Sequence, residues 1–213
     1  MIEMIQGAYA YASTHQGELL GAIGQHLRLV AVALGVSILI CVPLGIWTAR
    51  SRRAAATVIN LFNGLRVIPS LAVLFLAIPY FGLSFTSAAI ALTLLALPPI
   101  LINTDAAYRT IDGAIREAAR GMGMTANQIL WRVETPLALP VIVTGIRTAT
   151  TEVIASATLA AFIGSGGLGL YVVRGFAMYD ISILLVGAIP VALLTLAAEL
   201  LLNGLHRTLE PPV

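Results

Sequence analysis

The chain has no lysine, a single cysteine and few charges of either sign. With Cys41 alone, neither a disulfide framework nor a cysteine-based metal site can form. His15, His26 and His206 lie too far apart in sequence to make a ligand motif. Charged residues are 10% of the 213, against about 25% in an ordinary soluble domain. A soluble fold of this length could not clothe its surface with so few. The glycine-rich loop ending in Gly-Lys-Ser/Thr that cradles nucleotide phosphates is absent. So is the basic, then compactly apolar, leader of a cleavable signal. A net charge of +2 is too small to point to nucleic acid as a partner.

What is present is apolar surface. Hydrophobic residues make up 59% of the chain and the mean hydropathy is +0.95. These values indicate an all-α, polytopic membrane protein, with residues 1–213 as one transmembrane domain. Ile2, Ile5, Tyr9 and Ala12 have helical spacing. Residues 1–24 therefore read as a tail that either forms a short interfacial helix or frays. A crossing helix needs about 20 apolar residues. Residues 27–47, 58–81, 85–102, 140–163 and 181–202 meet that need. The second of these is interrupted by Arg66 and Pro69, and the third ends near Pro98 and Pro99. An odd number of spans puts the termini on opposite sides. With the N-terminus outside, the inner segments hold Arg50, Arg52, Arg53, Arg109, Arg116, Arg120, Arg132 and Arg207, and the outer ones only Arg28 and Arg174. Basic residues collect on the cytoplasmic side, so the C-terminus is placed there, in a bacterial cytoplasmic (inner) membrane.

Residues 105–136 form a polar, arginine-rich island that the bilayer would exclude, hence a cytoplasmic loop. Asp112 is placed to cap a helix from Gly113 to Arg120, ended by Gly121 and Gly123. Ala114, Ile115, Ala118, Ala119 and Met122 fall on one face of it, and Arg116, Glu117 and Arg120 on the other. Thr125 and Gln128 have capping-box spacing, so a second helix starts at Ala126 and stops before Thr135-Pro136. Two short helices about a glycine hinge make a knob that a partner can hold. On the physics alone, a solvated helical loop fits equally well.

Glu117-Ala118-Ala119, then Gly123 after three residues, then nine residues to Val133-Glu134-Thr135-Pro136, resembles the EAA loop of ABC importer permeases, which have the type I fold. The family pattern ends in Ile-x-Leu-Pro. Val133 stands for the isoleucine, and Thr135 departs from the leucine. The resemblance implies that Glu117, Ala118, Ala119, Arg120, Gly121, Gly123 and Pro136 couple the chain to an ATP-hydrolysing subunit. It implies two such subunits, which bind ATP and Mg, so that this chain holds no cofactor and is not itself an enzyme. It also implies a second permease chain, identical or paralogous, and an extracytoplasmic substrate-binding protein. The likeness spans about residues 25–205. The runs Arg66-Val67-Ile68-Pro69-Ser70-Leu71-Ala72, Glu117–Thr125 and Thr158–Gly169 are similar to the branch that imports glycine betaine, carnitine or choline. The five-span core also resembles methionine importer permeases. A methionine or other amino-acid importer is therefore the alternative cargo reading, and a secondary carrier or membrane scaffold the alternative class.

The fourth span carries Thr144, Arg147, Thr148, Thr150, Thr151, Glu152, Ser156 and Thr158. Ionisable groups at bilayer depth cost several kcal/mol and usually face a bundle interior or wet cavity. Thr148, Thr151, Glu152, Ser156 and Arg147, with Arg66, Pro69 and Ser70 of the second span, are thus candidates for the translocation path. Glu152 suits either a cationic head group or a structural partner on another helix. Arg147, five residues away, does not share its face. Arg66 reads first as a side chain reaching the cytoplasmic mouth. The glycine run Gly164–Gly169 follows no strand, which excludes a nucleotide loop, and residues 164–180 read as an outer turn and surface segment. Trp47 and Trp131 both fall at the cytoplasmic face, so the chain lacks the means to cage a quaternary ammonium within the membrane.

Overall fold

The computed structural model describes residues 2–209. Met1 and residues 210–213, part of the expected single domain, lie outside the described residues. The order is α1 (Ile2–Thr14), α2 (Gln16–Ala49), α3 (Arg52–Leu65), α4 (Ser70–Phe81), α5 (Phe85–Arg109), α6 (Gly113–Gly121), α7 (Ala126–Ile129), α8 (Thr135–Ser156), α9 (Gly169–Ala177) and α10 (Ile181–Leu209). A π turn, Leu130–Glu134, joins α7 to α8, and a 3-10 turn, Leu159–Ile163, follows α8. Among the described residues, four helices are long and apolar enough to cross a membrane: α2, α5, the continuous stretch Ala126–Ser156, and α10. The pair α3 and α4 is bent by 90° and is the fifth span if it crosses as one.

α5 is the centre of the bundle, with α2 on one side and α8 on the other. Its small residues Ala88, Ala91, Ala96 and Ala107 are buried, and two glycines press on it. A Cβ on Gly45 of α2 would lie 2.6 Å from the Thr104 side chain. One on Gly145 of α8 would lie 2.6 Å from Asn103 Cβ and 2.8 Å from the Pro99 carbonyl. Helices in lipid gain little from hydrophobic exclusion, so close backbone approach through small residues holds them together. α10 packs on α8 and α9, α1 lies against α10, and α4 leans on α5.

Several sequence expectations are corrected. Residues 16–24 belong to α2 and not to a tail. Pro98 and Pro99 do not end α5, which runs to Arg109. Both are buried, and α2 reinforces the flanking turns: Ser37 Oγ donates to the Thr93 carbonyl (3.1 Å) and Cys41 Sγ to that of Leu97 (3.3 Å). These bonds do not reach the Leu94 and Leu95 carbonyls that the prolines leave without donors, but they hold the turns on either side against a neighbouring helix, which keeps the helix continuous. Asp105 therefore sits in the last turns of α5, 4% exposed, and the polar loop begins after Arg109. The helix begun at Ala126 does not stop before Thr135-Pro136 but widens into the π turn and continues as α8. Pro136, in the first turn of α8, occupies a position where a missing N–H is tolerated. At the other end, α8 stops at Ser156 and the chain turns, short of residue 163. α10 continues to Leu209.

Gly145→Val should unfold more easily because it forces α8 off α5. Overpacking of this kind costs about 1–3 kcal/mol. Gly35→Ala in α2, where an added Cβ meets nothing within 4 Å, should not destabilise and gains up to about 1 kcal/mol from helix propensity. Unfolding of the two purified variants in detergent checks the difference, and equal stability would contradict the packing account.

Candidate functional site

The exposed knob after α5 is built on caps and arginine bridges. Asp112 Oδ1 accepts the Ala114 N–H (3.0 Å) at the start of α6. Gly123, at φ 79°, turns the chain in a conformation that favours glycine. Thr125 and Gln128 form the reciprocal capping box that their spacing predicts. Arg116 fixes the knob to the bundle. Its Nε donates to Glu134 Oε1 (2.6 Å), Nη2 to the Tyr108 carbonyl (2.6 Å) and Nη1 to that of Ile111 (3.2 Å). Glu134 is 8% exposed. One helix away, Arg109 holds Asp105 through Nε and Nη2 (3.0 and 2.8 Å), and Nη2 also donates to the Thr48 carbonyl at the end of α2 (3.0 Å). The Tyr108 and Thr135 hydroxyls meet at 2.9 Å, and Thr135 Oγ1 donates to the Leu130 carbonyl within the π turn (2.7 Å).

The two faces of α6 differ from expectation. Arg116 points inward instead of lying outside with Glu117 and Arg120. Ala119 is buried, whereas Ala114, Ile115, Ala118 and Met122 are exposed. Helix-end carbonyls need donors more than alanine methyls need burial, and Arg116 supplies them. The outer face therefore presents Ala114, Ala118 and Gly121 beside Glu117. Among the described residues Glu117 has no hydrogen-bond or ion-pair partner, and neither has Arg120. Pro136 is exposed near the base of the knob.

A second feature runs along α8. Thr144, Thr148, Glu152 and Ser156 recur every fourth residue and form a half-buried polar stripe. Arg66, between α3 and α4, reaches Glu152 Oε1 with Nη2 at 3.4 Å. Arg66 thus faces the stripe and does not reach away to the cytoplasmic mouth. The two side chains are 48% and 35% exposed. The backbone turns at Pro69, and Ser70 opens α4 beside an apolar cavity of about 290 Å³. Arg147 leaves the opposite side of α8 and pairs with Glu199 (3.2 Å) and Asn203 (3.3 Å) of α10. Thr151 also faces α10, in a groove it shares with Glu199. The hydroxyls of Thr148 and Thr151 donate to α8's own carbonyls, at 3.1 and 2.9 Å. The structure therefore gathers Arg66, Glu152, Thr148 and Ser156, with Pro69 and Ser70 nearby, and separates Arg147 and Thr151 from them.

Four contributors escaped sequence reasoning. Glu134 and Tyr108 had no motif to mark them, although Glu134 is an acid at the rim of a basic island. On the other side of the membrane, Gln25 Oε1 accepts the Gly167 N–H (3.1 Å). Buried His26 Nε2 meets the Ile154 carbonyl at 3.1 Å, latching α2 to the glycine turn and the end of α8. The turn leads into α9 (Gly169–Ala177), where Tyr171 is buried and not laid on the surface. No group of histidine, cysteine and acidic residues that could hold a metal occurs among the described residues.

Residues 41–213 match the family described as the binding-protein-dependent transport system inner membrane component. The choline transport system permease protein OpuBB of Bacillus subtilis is 38% identical over 94% of this chain and 93% of its own length. The osmoprotectant import permease protein OsmW of Salmonella typhimurium is 41% identical over 94% of this chain and 96% of its own. Among solved structures, a chain of the inward-facing MetNI methionine ABC transporter superposes with a TM-score of 0.80 at 22% identity, covering 93% of this chain and 99% of that one. The fold is thus the all-α core of type I ABC importer permeases. The chain belongs to the family of multi-pass inner-membrane components of binding-protein-dependent transport systems.

Proposed function

We propose that this chain is the permease subunit of an ATP-driven importer that takes up osmoprotectants such as glycine betaine, carnitine or choline. The observation that carries the cargo is that curated relatives named for those compounds match it across 94% of its length. Support for the power source is the knob: a helix in the EAA position whose small-residue face and unpaired Glu117 turn outward. Glu117, Ala118, Arg120, Gly121 and Gly123 form the contact with an ATP-binding subunit, with buried Ala119 and Pro136 shaping it from behind. Two such subunits bind ATP and Mg, and this chain holds neither. ATP favours their closed arrangement and so shifts the population of the permease toward one of its two accessible states. Arg116 passes the displacement of α6 to the ends of α5 and α8, and hydrolysis resets the cycle.

The half-exposed stripe on α8 is completed by a second permease chain, identical or paralogous. A binding protein outside the cell delivers cargo to the side of residues 164–180, the N-terminus being outside and the C-terminus in the cytoplasm. Along the path, Arg66 and Glu152 offer a zwitterion one partner for each of its charges. Betaine carboxylate meets Arg66 and its ammonium meets Glu152, whereas choline needs Glu152 alone. Methionine also suits the pair, so the pair does not choose between them. The relatives do.

Glu117→Ala should abolish uptake of radiolabelled glycine betaine or choline in cells while the chain's membrane level is unchanged. Normal uptake in that variant would refute the coupling role of α6. Uptake that survives ATP depletion with the ion gradient held would instead make the protein a secondary carrier. In a strain lacking this chain, lost methionine uptake with intact betaine, carnitine and choline uptake would assign the other cargo.

Glu152→Gln should slow choline uptake by about tenfold, the equivalent of about 1.4 kcal/mol, with the assembled complex recovered in normal yield. Unchanged choline kinetics would remove Glu152 from the path.

A further inference from the structure

A cavity of about 480 Å³ lies between α6 and the adjoining ends of α2 and α5. Its wall holds Arg50, Arg109, Arg116 and Arg120 but one acid, Glu134. Two of the four guanidiniums are already committed. Arg109 is taken by Asp105, and Arg116 by Glu134 and two carbonyls. Of the other two, one is held by a long ion pair and one by no side-chain contact. Arg50 stands 3.9 Å from Glu134, with its side chain 58% exposed, and makes no hydrogen bond to it. Arg120 has no partner among the described residues. The cavity thus keeps an excess of two positive charges in a chain whose whole net charge is +2. Like charges gathered in a recess repel one another, and an anion between them relieves that repulsion.

We infer that this cavity is a binding site for a phosphate group, carried by an anionic phospholipid headgroup or free in solution. Guanidinium forks bind phosphate oxygens in pairs, and the volume is that of a small-ligand site. The site opens on the side of α6 that carries Arg116 and Arg120, not on that of Glu117 and Ala118, so Arg120 is the one side chain it shares with the docking contact of the proposed function. Trp47, one turn before Arg50, is exposed, and tryptophan collects where membrane meets water. Basic pockets at the cytoplasmic ends of membrane helices recognise anionic headgroups. The inference rests on the pocket's geometry and stands independently of the cargo.

The test uses the full chain in detergent. Native mass spectrometry measures retention of phosphatidylglycerol against phosphatidylcholine. Thermal unfolding measures stabilisation by sodium phosphate against sodium chloride at equal ionic strength. Arg50→Gln/Arg120→Gln is compared with Arg52→Gln/Arg53→Gln, which removes equal charge from exposed neighbours outside the cavity. Single Arg120→Gln breaks no internal contact and so separates binding from folding. Phosphatidylglycerol retention, phosphate stabilisation or both should fall about tenfold on losing Arg50 and Arg120, the scale of one lost charged contact, and persist in the control. A response to the lipid alone identifies the headgroup as source, and a response to both identifies the phosphate group itself. The proposal is overturned if neither probe separates the two double variants. It is also overturned if the wild type binds neither and Arg120→Gln instead sheds a copurifying ATPase, which would make the occupant a carboxylate of that partner.

Discussion

The contact between Arg116 and Glu134 is the joint on which the rest of the molecule depends. Without it, α6 would be a nine-residue helix on a flexible loop, too short to hold its own shape in water. With it, a single guanidinium binds the π turn through a carboxylate, the end of α5 through the Tyr108 carbonyl and the loop after it through the Ile111 carbonyl. Glu134 is the more buried of the two, so removing Arg116 would leave a carboxylate charged and desolvated, the costly way to break such a pair. The geometry also accounts for the use of arginine. Arg109 and Arg116 each satisfy a carboxylate and a main-chain carbonyl at the same time. A lysine ammonium carries its donors on one atom and has no fork to span two elements.

The joint transmits force only if what it is fastened to is stiff. α5 supplies that stiffness. Gly45 and Gly145 bring α2 and α8 onto neighbouring turns of it, so close that neither contact has room for a methyl group. The carbonyls at the ends of α2 and α5 are tied to Arg109 and Arg116, which leaves little slack at the seam. Under the proposed coupling role, a push on α6 would reach three long helices as one body. At the far side, Gln25 and His26 fasten the same body to the glycine turn. Both ends of α2 are thereby fixed to chain segments on opposite sides of the membrane.

Much of this was legible in the residues, and the misses share a cause. Asp112, Thr125, Gln128 and Gly123 act locally, through bonds to neighbours in sequence, and each behaved as its spacing predicted. Pro98, Pro99 and Pro136 did not, because the rule that proline ends a helix assumes that nothing else holds the flanking turns. Ser37 and Cys41 come from a distant helix, and no local pattern announces them. Arg116 failed for the same reason. A helical wheel sorts side chains by polarity, yet the carbonyls that draw Arg116 inward belong to the end of an earlier helix, at Tyr108, and to the loop after it, at Ile111. Glu152 was readable as a charge that needs a partner off its own helix. Choosing Arg66 as that partner required the 90° bend.

The two ion pairs of α8 differ in a way that bears on transport. Arg147 joins α8 to α10 with both a carboxylate and an amide, and belongs to the stiff body. Arg66 belongs to the bend between α3 and α4, and its contact with Glu152 is a single, half-exposed 3.4 Å link. Half-exposed pairs are held weakly because water screens them, so this is the link that yields first when the two parts of the chain separate. As it opens, each charge loses its partner unless something replaces it. Under the proposed function, a zwitterionic cargo does that and a neutral solute of the same size does not. The same pair then both closes the groove when it is empty and discriminates what enters it, and it needs no aromatic cage to do so.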